Sequence, residues 1–427
     1  VPVNLNYTLS PEVMEKALKK ANISQVITSE KFLEKLNAKG FDFSQVVADK
    51  ALFMEKLGKS ISQSQKVRAF LTAFFAPQWW LKFCYFAEVR LEDTATILFS
   101  SGSEGDPKGI ELSHKNLLTN IKQIGELLNF HKDDVILNSL PIFHSFGLTV
   151  TTLLPLCEGI KMVSVADPTD GATVGKMCAR HNVSILFGTS TFFRLYVRNK
   201  KFHPLMLQSV RMVIAGAEKL KADVKEAFKL KFGVEIYEGY GATETAPVAS
   251  VNMPNLLDPE TLKEFTFNQQ GTVGLPLPGT IIKIVDPESL QELPVGEDGL
   301  ILIGGGQVMK GYLNDPEKTA DVIVELDGVR YYKTGDKGHI DHNGFITIVD
   351  RYSRFAKVGG EMISLGSVEE KLSQVFDEEN QFVAVAVSDD KKGESIVLLI
   401  KSALSLEEIN ERIKGLNVPP IMLPSQV

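Results

Sequence analysis

The sequence predicts an α/β protein: a large, multi-subdomain N-terminal domain of parallel α/β sheets plus a β-rich subdomain, then a small, truncated α+β C-terminal domain. Three observations predict it. Short β-branched or apolar runs alternate with helical stretches through the first part of the chain. From about Gly271 the pattern changes to strands joined by turns rich in Gly, Pro and Asp. And 427 residues exceed what one hydrophobic core organises.

In chain order, Val1-Pro2-Val3-Asn4 reads as the inside of a strand, and Met422 to Val427 ends as abruptly. Both termini look like cuts through a longer protein, so targeting and membrane segments can lie outside this stretch. Ser10-Pro11-Glu12 marks a helix start, with Ser as N-cap and Pro in the first turn. Its helix carries Val13, Ala17 and Ala21 and leads to a strand at Ser24–Thr28. Asp134–Ser139, Met162–Ala166, Ser184–Phe187 and Met212–Ala215 read as strands, separated by helices such as Asn116–Leu128 and Lys221–Phe232. That alternation implies a largely parallel sheet covered on both faces. Thr280–Val285, Gly299–Ile303 and Phe345–Val349 are strands of the β-rich subdomain, about 271–350. After Arg351, a helix with Val368, Leu372, Val375 and Phe376 on one stripe precedes strands Phe382–Val387 and Ile396–Ile400. Ser405-Leu406-Glu407-Glu408 is a capping box for a last helix. The expected domains are 1–350 and 351–427.

A net charge of −7 argues against general nucleic-acid binding, which needs a basic excess. Cys84, Cys157 and Cys178 are scattered and read as buried thiols of a reducing, cytoplasmic compartment. The seven histidines form no metal-ligand cluster. No secretory signal and no apolar run of about 18 residues is visible. The stretch from Lys66 to Phe86 is unusual, because both tryptophans and many other aromatics stand among scattered bases. Two readings stand for it: a helix pair buried against the domain, or a segment in a lipid interface.

Four motifs carry chemistry. Ser100-Ser101-Gly102-Ser103-Glu104-Gly105-Asp106-Pro107-Lys108-Gly109 follows an apolar strand, Thr96–Phe99, and precedes a helix beginning near His114. Glycines let backbone N–H groups turn toward an anion, hydroxyls add donors and Lys108 brings positive charge, which makes a phosphate-gripping loop. Pro107 before the Lys, with no Ser or Thr after it, excludes a Walker loop. Glu238-Gly239-Tyr240-Gly241-Ala242-Thr243-Glu244-Thr245 follows the strand-like Val234–Tyr237. A Thr hydroxyl can bond a phosphate oxygen, and the adjacent carboxylate can hold Mg²⁺, which prefers oxygen ligands. In Tyr332-Lys333-Thr334-Gly335-Asp336 the carboxylate can accept from both ribose hydroxyls, and in the stretch from Asp350 to Glu361, Arg351 can add a fork of donors. The plainer alternatives are a Gly/Ser-rich surface turn, a turn Asp and a surface Arg in an ion pair.

In this order and at this spacing the motifs resemble the adenylate-forming superfamily of acyl-CoA synthetases, peptide-synthetase adenylation domains and firefly luciferases. Pro141-Ile142-Phe143-His144-Ser145-Phe146-Gly147, Ala215-Gly216-Ala217-Glu218-Lys219-Leu220 and Gly306-Gln307-Val308-Met309-Lys310-Gly311-Tyr312 extend the resemblance over essentially the whole chain. It implies that 1–350 is an AMP-binding domain and 351–427 a lid, that ATP and Mg²⁺ are used, and that a carboxylic acid is activated as an acyl-AMP. By the resemblance, Ser101, Gly102, Ser103, Gly105 and Lys108 hold the β- and γ-phosphates. Gly216, Ala217 and Glu218, with Tyr240, line the adenine, and Gly241 belongs to the same nucleotide set. Thr243 contacts the α-phosphate, Glu244 holds Mg²⁺, Asp336 and Arg351 bind the ribose, and His144 sits beside the acyl carboxylate. The catalytic set is then Thr243, Glu244, His144 and Lys108. Ser353 matches a hinge position, and Gly359 and Gly360 match the loop lining the path of the incoming thiol.

Glu104, the run from Arg351 to Lys357, the opening Val1 to Tyr7 and the Trp-rich segment look like the acyl-[acyl carrier protein] synthetase branch. Within it, the resemblance is to the half of a bifunctional enzyme that re-acylates lysophosphatidylethanolamine. The implied partners are a fatty acid, acyl carrier protein or CoA, and a peripheral membrane contact at the cytoplasmic face of the inner membrane, with no nucleic acid. A long-chain fatty acyl-CoA ligase is the alternative in the same class, and a non-catalytic nucleotide-binding scaffold the alternative in another. The resemblance also implies a lysine within about 20 residues of Leu423-Pro424-Ser425. Such a cationic donor is commonly worth ~10²–10³ in rate.

Overall fold

Val135 to Leu137, Ile185 to Phe187 and Met212 to Ala215 are apolar at every position, as strands covered on both faces must be. The computed structural model describes residues 1–38, 40–47, 49–86, 88–100, 107–358, 361–376, 380–389, 393–402, 404–414 and 422–427. In it these runs form the middle of a seven-stranded sheet. The order is Leu275–Pro276, Val248–Val251, Ile236–Gly241, Met212–Ala215, Ile185–Gly188, Val135–Asn138 and Lys161–Ser164. The last five run parallel, and the first two add an antiparallel edge. Side chains alternate between two cores. Leu137, Leu186, Val213 and Ile236 pack with Val174, Phe193, Tyr196 and Phe228 on one side. Ile136, Ile185, Phe187 and Ile214 pack with Ile121, Ile124 and Leu154 on the other. At the head of three adjacent strands, buried Asp134 accepts from Arg211 at 2.6 and 3.0 Å and from Ser184 Oγ at 2.7 Å.

A second sheet holds Val3–Asn4, Thr94–Ser100, Lys108–Ser113 and Gly311–Tyr312 in that order. It adds an element to the expected setting of the Gly/Ser-rich stretch: between the strand Thr94–Ser100 and the helix expected near His114, Lys108–Ser113 pairs antiparallel with Thr94–Ser100 and buries Ile110 and Leu112 beside Leu98. The helix His114–Leu128 starts only afterwards, capped by Ser113 Oγ. Helix Pro11–Lys20 buries Met14, Ala17 and Leu18, a stripe rotated from the expected one.

Helices Gln63–Phe75 and Gln78–Tyr85 occupy the aromatic stretch, and all their residues are exposed or half-buried. The reading of a pair buried against the domain is thereby overturned, because nothing among the described residues covers its rings. The thiols are corrected too: Cys178 is buried, its pKa pushed up to about 12 by burial, but Cys84, in the second of these helices, and Cys157, in the helix Leu154–Glu158, are exposed. Among the described residues, no helix is long and apolar enough to cross a membrane.

The described residues fall into two compact units, Val1–Ile281 with Ile303–Tyr332, and Ile282–Leu302 with Lys333–Val427. The boundary expected at 350 lies inside the second unit, where Val329–Ile340 continues unbroken past Tyr332 and pairs antiparallel with Ile346–Arg351. The strands Ile281–Val285 and Gly299–Gly304 join the sheet of Val329–Ile340, and a further, four-stranded sheet follows in the order Glu361–Ser364, Phe355–Val358, Gly393–Lys401, Gln381–Asp389. Helices Leu365–Leu372 and Leu406–Lys414 pack on it through Val368, Leu372 and Ile409. Ser405 and Glu408 exchange the expected reciprocal caps.

Candidate active site

In the first unit, strand Ile236–Gly241 ends in a bulge between Tyr240 and Gly241, and the chain then folds back. A Cβ on Gly241 would lie 1.9 Å from the Pro247 carbonyl oxygen, so only glycine permits that return. Thr243–Thr245 makes a single helical turn, braced by Thr245 Oγ1, which lies 2.8 Å from the Pro247 carbonyl and accepts the Ala242 N–H at 3.1 Å. This brace orients Thr243 and Glu244. The Tyr312 hydroxyl donates to Glu244 Oε1 at 2.9 Å, and the Tyr332 hydroxyl donates to Tyr312. Both phenols are pushed far above the ordinary tyrosine range, first by burial and then by the charge of Glu244. They remain protonated donors. Lys108 Nζ lies 5.5 Å from the centre of the Tyr312 ring, an ammonium over an aromatic face.

Thr243 also meets the stretch Pro141–Gly147: Ser145 Oγ donates to Thr243 Oγ1 at 3.3 Å. Ser145 precedes a π-helical stretch, Phe146–Leu153, entered by a tight turn in which a Cβ on Gly147 would lie 2.1 Å from the Pro141 carbonyl oxygen. The neighbouring His144 ring is open to solvent at its surface but ringed by protein, and this desolvation lowers its pKa. It is therefore a neutral imidazole near pH 7.

Gly216 ends strand Met212–Ala215, donating its N–H to the Gly188 carbonyl at 3.1 Å. A Cβ there would approach the Phe146 ring to 3.3 Å, and Phe146 stands edge-on to Phe187 with centroids 6.0 Å apart. Ala217 adopts φ +69°, and Tyr240 is half-buried. Glu218 is already engaged: its carboxylate accepts the Thr191 N–H at 2.5 Å and the Thr191 hydroxyl at 3.1 Å. It serves the start of helix Ser190–Arg198.

In the second unit, Asp336 and Arg351 stand opposite each other in antiparallel register, with Arg351 Nε 3.2 Å from Asp336 Oδ1. Asp336 is buried and Arg351 is largely exposed. Ser353 lies exposed in the turn Tyr352–Arg354. Ser101, Gly102, Ser103, Gly105, Gly359 and Gly360 lie outside the described residues.

A family model described as AMP-binding enzyme matches residues 1–313. The chain belongs to the AMP-binding enzyme family. Among curated relatives, long-chain-fatty-acid–CoA ligase of Salmonella typhimurium is 32% identical over 317 residues, 73% of this chain and 54% of that protein. 4-Coumarate–CoA ligase 3 of Oryza sativa subsp. japonica is 34% identical over 333 residues, 77% of this chain and 58% of that protein. The chain thus spans about half the length of the curated relatives it matches. Among solved structures, ATP-bound MatB from Rhodopseudomonas palustris matches with TM-score 0.75 at 24% identity, covering 99% of this chain and 79% of that one. O-succinylbenzoate coenzyme A synthetase (MenE) from Bacillus subtilis, in complex with AMP, matches with TM-score 0.76 at 22% identity, covering 100% and 79%. The α/β architecture is the one these structures share.

In this AMP-binding enzyme, three residues of the cluster escaped sequence reasoning about roles. Ser145, Tyr312 and Tyr332 all lie within motifs that the sequence singles out, yet no local pattern says that a phenol 68 residues away holds Glu244. The Glu244 carboxylate is the kind of oxygen ligand a hard cation takes, and the Thr243 hydroxyl and Lys108 ammonium are groups that suit phosphate oxygens. Among the described residues, no three His, Cys, Asp or Glu side chains gather as a metal site.

Proposed function

We propose that the chain is an acid–thiol ligase that activates a fatty acid with ATP as an acyl-AMP, releases pyrophosphate, and passes the acyl group to the phosphopantetheine thiol of acyl carrier protein. The product would feed re-acylation of lysophospholipids, in the cytoplasm and at the cytoplasmic face of the inner membrane. The observation that carries the first step is the cluster of Lys108, Tyr312, Glu244, Thr243 and Ser145.

A carboxylate oxygen attacks the α-phosphorus, the bond to the bridging oxygen of the β-phosphate breaks, and the electron pair leaves with pyrophosphate. Both reactants are anions, so donors must offset the charge that accumulates between them. Lys108 supplies fixed positive charge, and Thr243, oriented by Ser145, supplies a hydroxyl toward phosphate. Mg²⁺, bound through Glu244, would neutralise phosphate oxygens there. Neutral His144 can orient the acyl carboxylate by a hydrogen bond without locking it in an ion pair. In the second half the thiol attacks the anhydride carbonyl and AMP leaves.

The carrier-protein acceptor rests on the resemblance of Glu104 and the run from Arg351 to Lys357. The names of the curated relatives favour a second reading, a long-chain fatty acyl-CoA ligase. Fatty-acid-dependent ATP–pyrophosphate exchange, with mass-spectrometric detection of the acyl-AMP formed from a mixture of carboxylic acids, tests the first step. No exchange with any acid would favour the non-catalytic scaffold. Thioester yields with acyl carrier protein and with CoA separate the two acceptors.

A further inference from the structure

We propose that the helix pair Gln63–Phe75 and Gln78–Tyr85 docks on an anionic lipid surface. This deepens the membrane contact of the reading above, but it rests on the surface of the pair alone. Phe74 is 70% exposed, Trp79 69% and Phe83 85%, in helices none of whose residues is buried. Monomeric proteins rarely leave so contiguous an apolar patch open to water. At 100° per residue, Val67, Phe70, Leu71, Phe74 and Phe75 share one face of the first helix, and Lys66 and Arg68 stand on its two edges.

Charge selects the occupant. From Lys56 to Ala87 the chain carries five bases, Lys56, Lys59, Lys66, Arg68 and Lys82, and no Asp or Glu, although the whole chain has net charge −7. Rings flanked by bases suit an interface in which aromatics reach the acyl boundary and ammonium groups extend to lipid phosphates. A second copy would bring like charges face to face. The first helix has 13 residues, about 20 Å at 1.5 Å each, so it lies along the surface and does not span it. A shallow hollow lined by Leu71, Thr72, Phe75, Ala76, Pro77 and Trp80 offers room for the end of an acyl chain.

Trp79 and Trp80 are the only tryptophans of the chain, so tryptophan emission reports on this pair alone. With vesicles of mixed phosphatidylglycerol and phosphatidylcholine, emission should shift to the blue and be quenched by brominated acyl chains. Neutralising Lys66, Arg68 and Lys82 to Gln should weaken partitioning by roughly fivefold per base. Phe74→Glu with Phe83→Glu should abolish co-sedimentation while circular dichroism and fatty-acid-dependent pyrophosphate exchange stay unchanged. Loss of vesicle binding and loss of adenylation are therefore separate results. An emission maximum that anionic vesicles do not move overturns the proposal. So does a lipid-free blue maximum with the mass of a dimer, which would give the face to a second copy, or undiminished vesicle binding by the Phe74→Glu, Phe83→Glu variant.

Discussion

Glu244 is a single carboxylate whose orientation depends on two phenols. Removing the charge by Glu244→Gln should lower Mg²⁺-dependent pyrophosphate exchange by about 10²-fold or more with the fold intact. Tyr312→Phe removes the donor but keeps the ring beneath Lys108. A hydrogen bond to a charged group is worth about 1.5–3 kcal/mol, so exchange should fall by roughly tenfold to a hundredfold, and less than in Glu244→Gln. In the proposed adenylation the Lys108 charge faces phosphate, so Lys108→Ala should raise the KM for ATP by at least about tenfold while leaving fatty-acid affinity unchanged. Steady-state exchange with ATP and acid varied separately reads both. The Glu218 carboxylate accepts from both the N–H and the hydroxyl of Thr191, a partner that the motif around it does not announce.

At the scale of elements, the Asp134–Arg211–Ser184 network ties the starts of three adjacent strands. Burial acts to raise the Asp134 pKa, but the bonds from Arg211 and Ser184 win and hold it at about 2, below the ordinary 3.8. A carboxyl held low in the folded state contributes stability that is present above the unfolded pKa and is lost as pH falls from about 4 through about 2. The contribution is about 2 kcal/mol. Urea denaturation of Asp134→Asn should show that deficit near pH 7 and a narrowing one below pH 4. The strand–helix alternation around this sheet was legible because its periodicity is local. The strand Lys108–Ser113 was not: six residues beside a Gly-rich loop offer too short an alternation, and its partner Thr94–Ser100 is what makes it a strand. For the aromatic helices the sequence left a buried pair and a lipid-interface segment both open, and their exposure decides against the buried pair.

For the whole molecule, the proposed adenylation requires that the folded chain bind nucleotide. Mg²⁺ with ATP at 100 times its Kd should then add about 2.7 kcal/mol to stability, which calorimetry reads as a raised Tm. Removing Mg²⁺ with a chelator should reverse most of that rise, and Glu244→Gln should show little of it. The sequence by itself determined the α/β class, the motif set and the family, because side-chain periodicity and the backbone demands of Gly241 and Gly147 are written within a few residues. Only the tertiary structure decided which side chains meet: that Tyr312 and Tyr332 hold Glu244, that Ser145 reaches Thr243, and that nothing among the described residues buries the helices from Gln63 to Tyr85. The physical reason is that packing selects partners across long chain separations, which a local pattern does not encode.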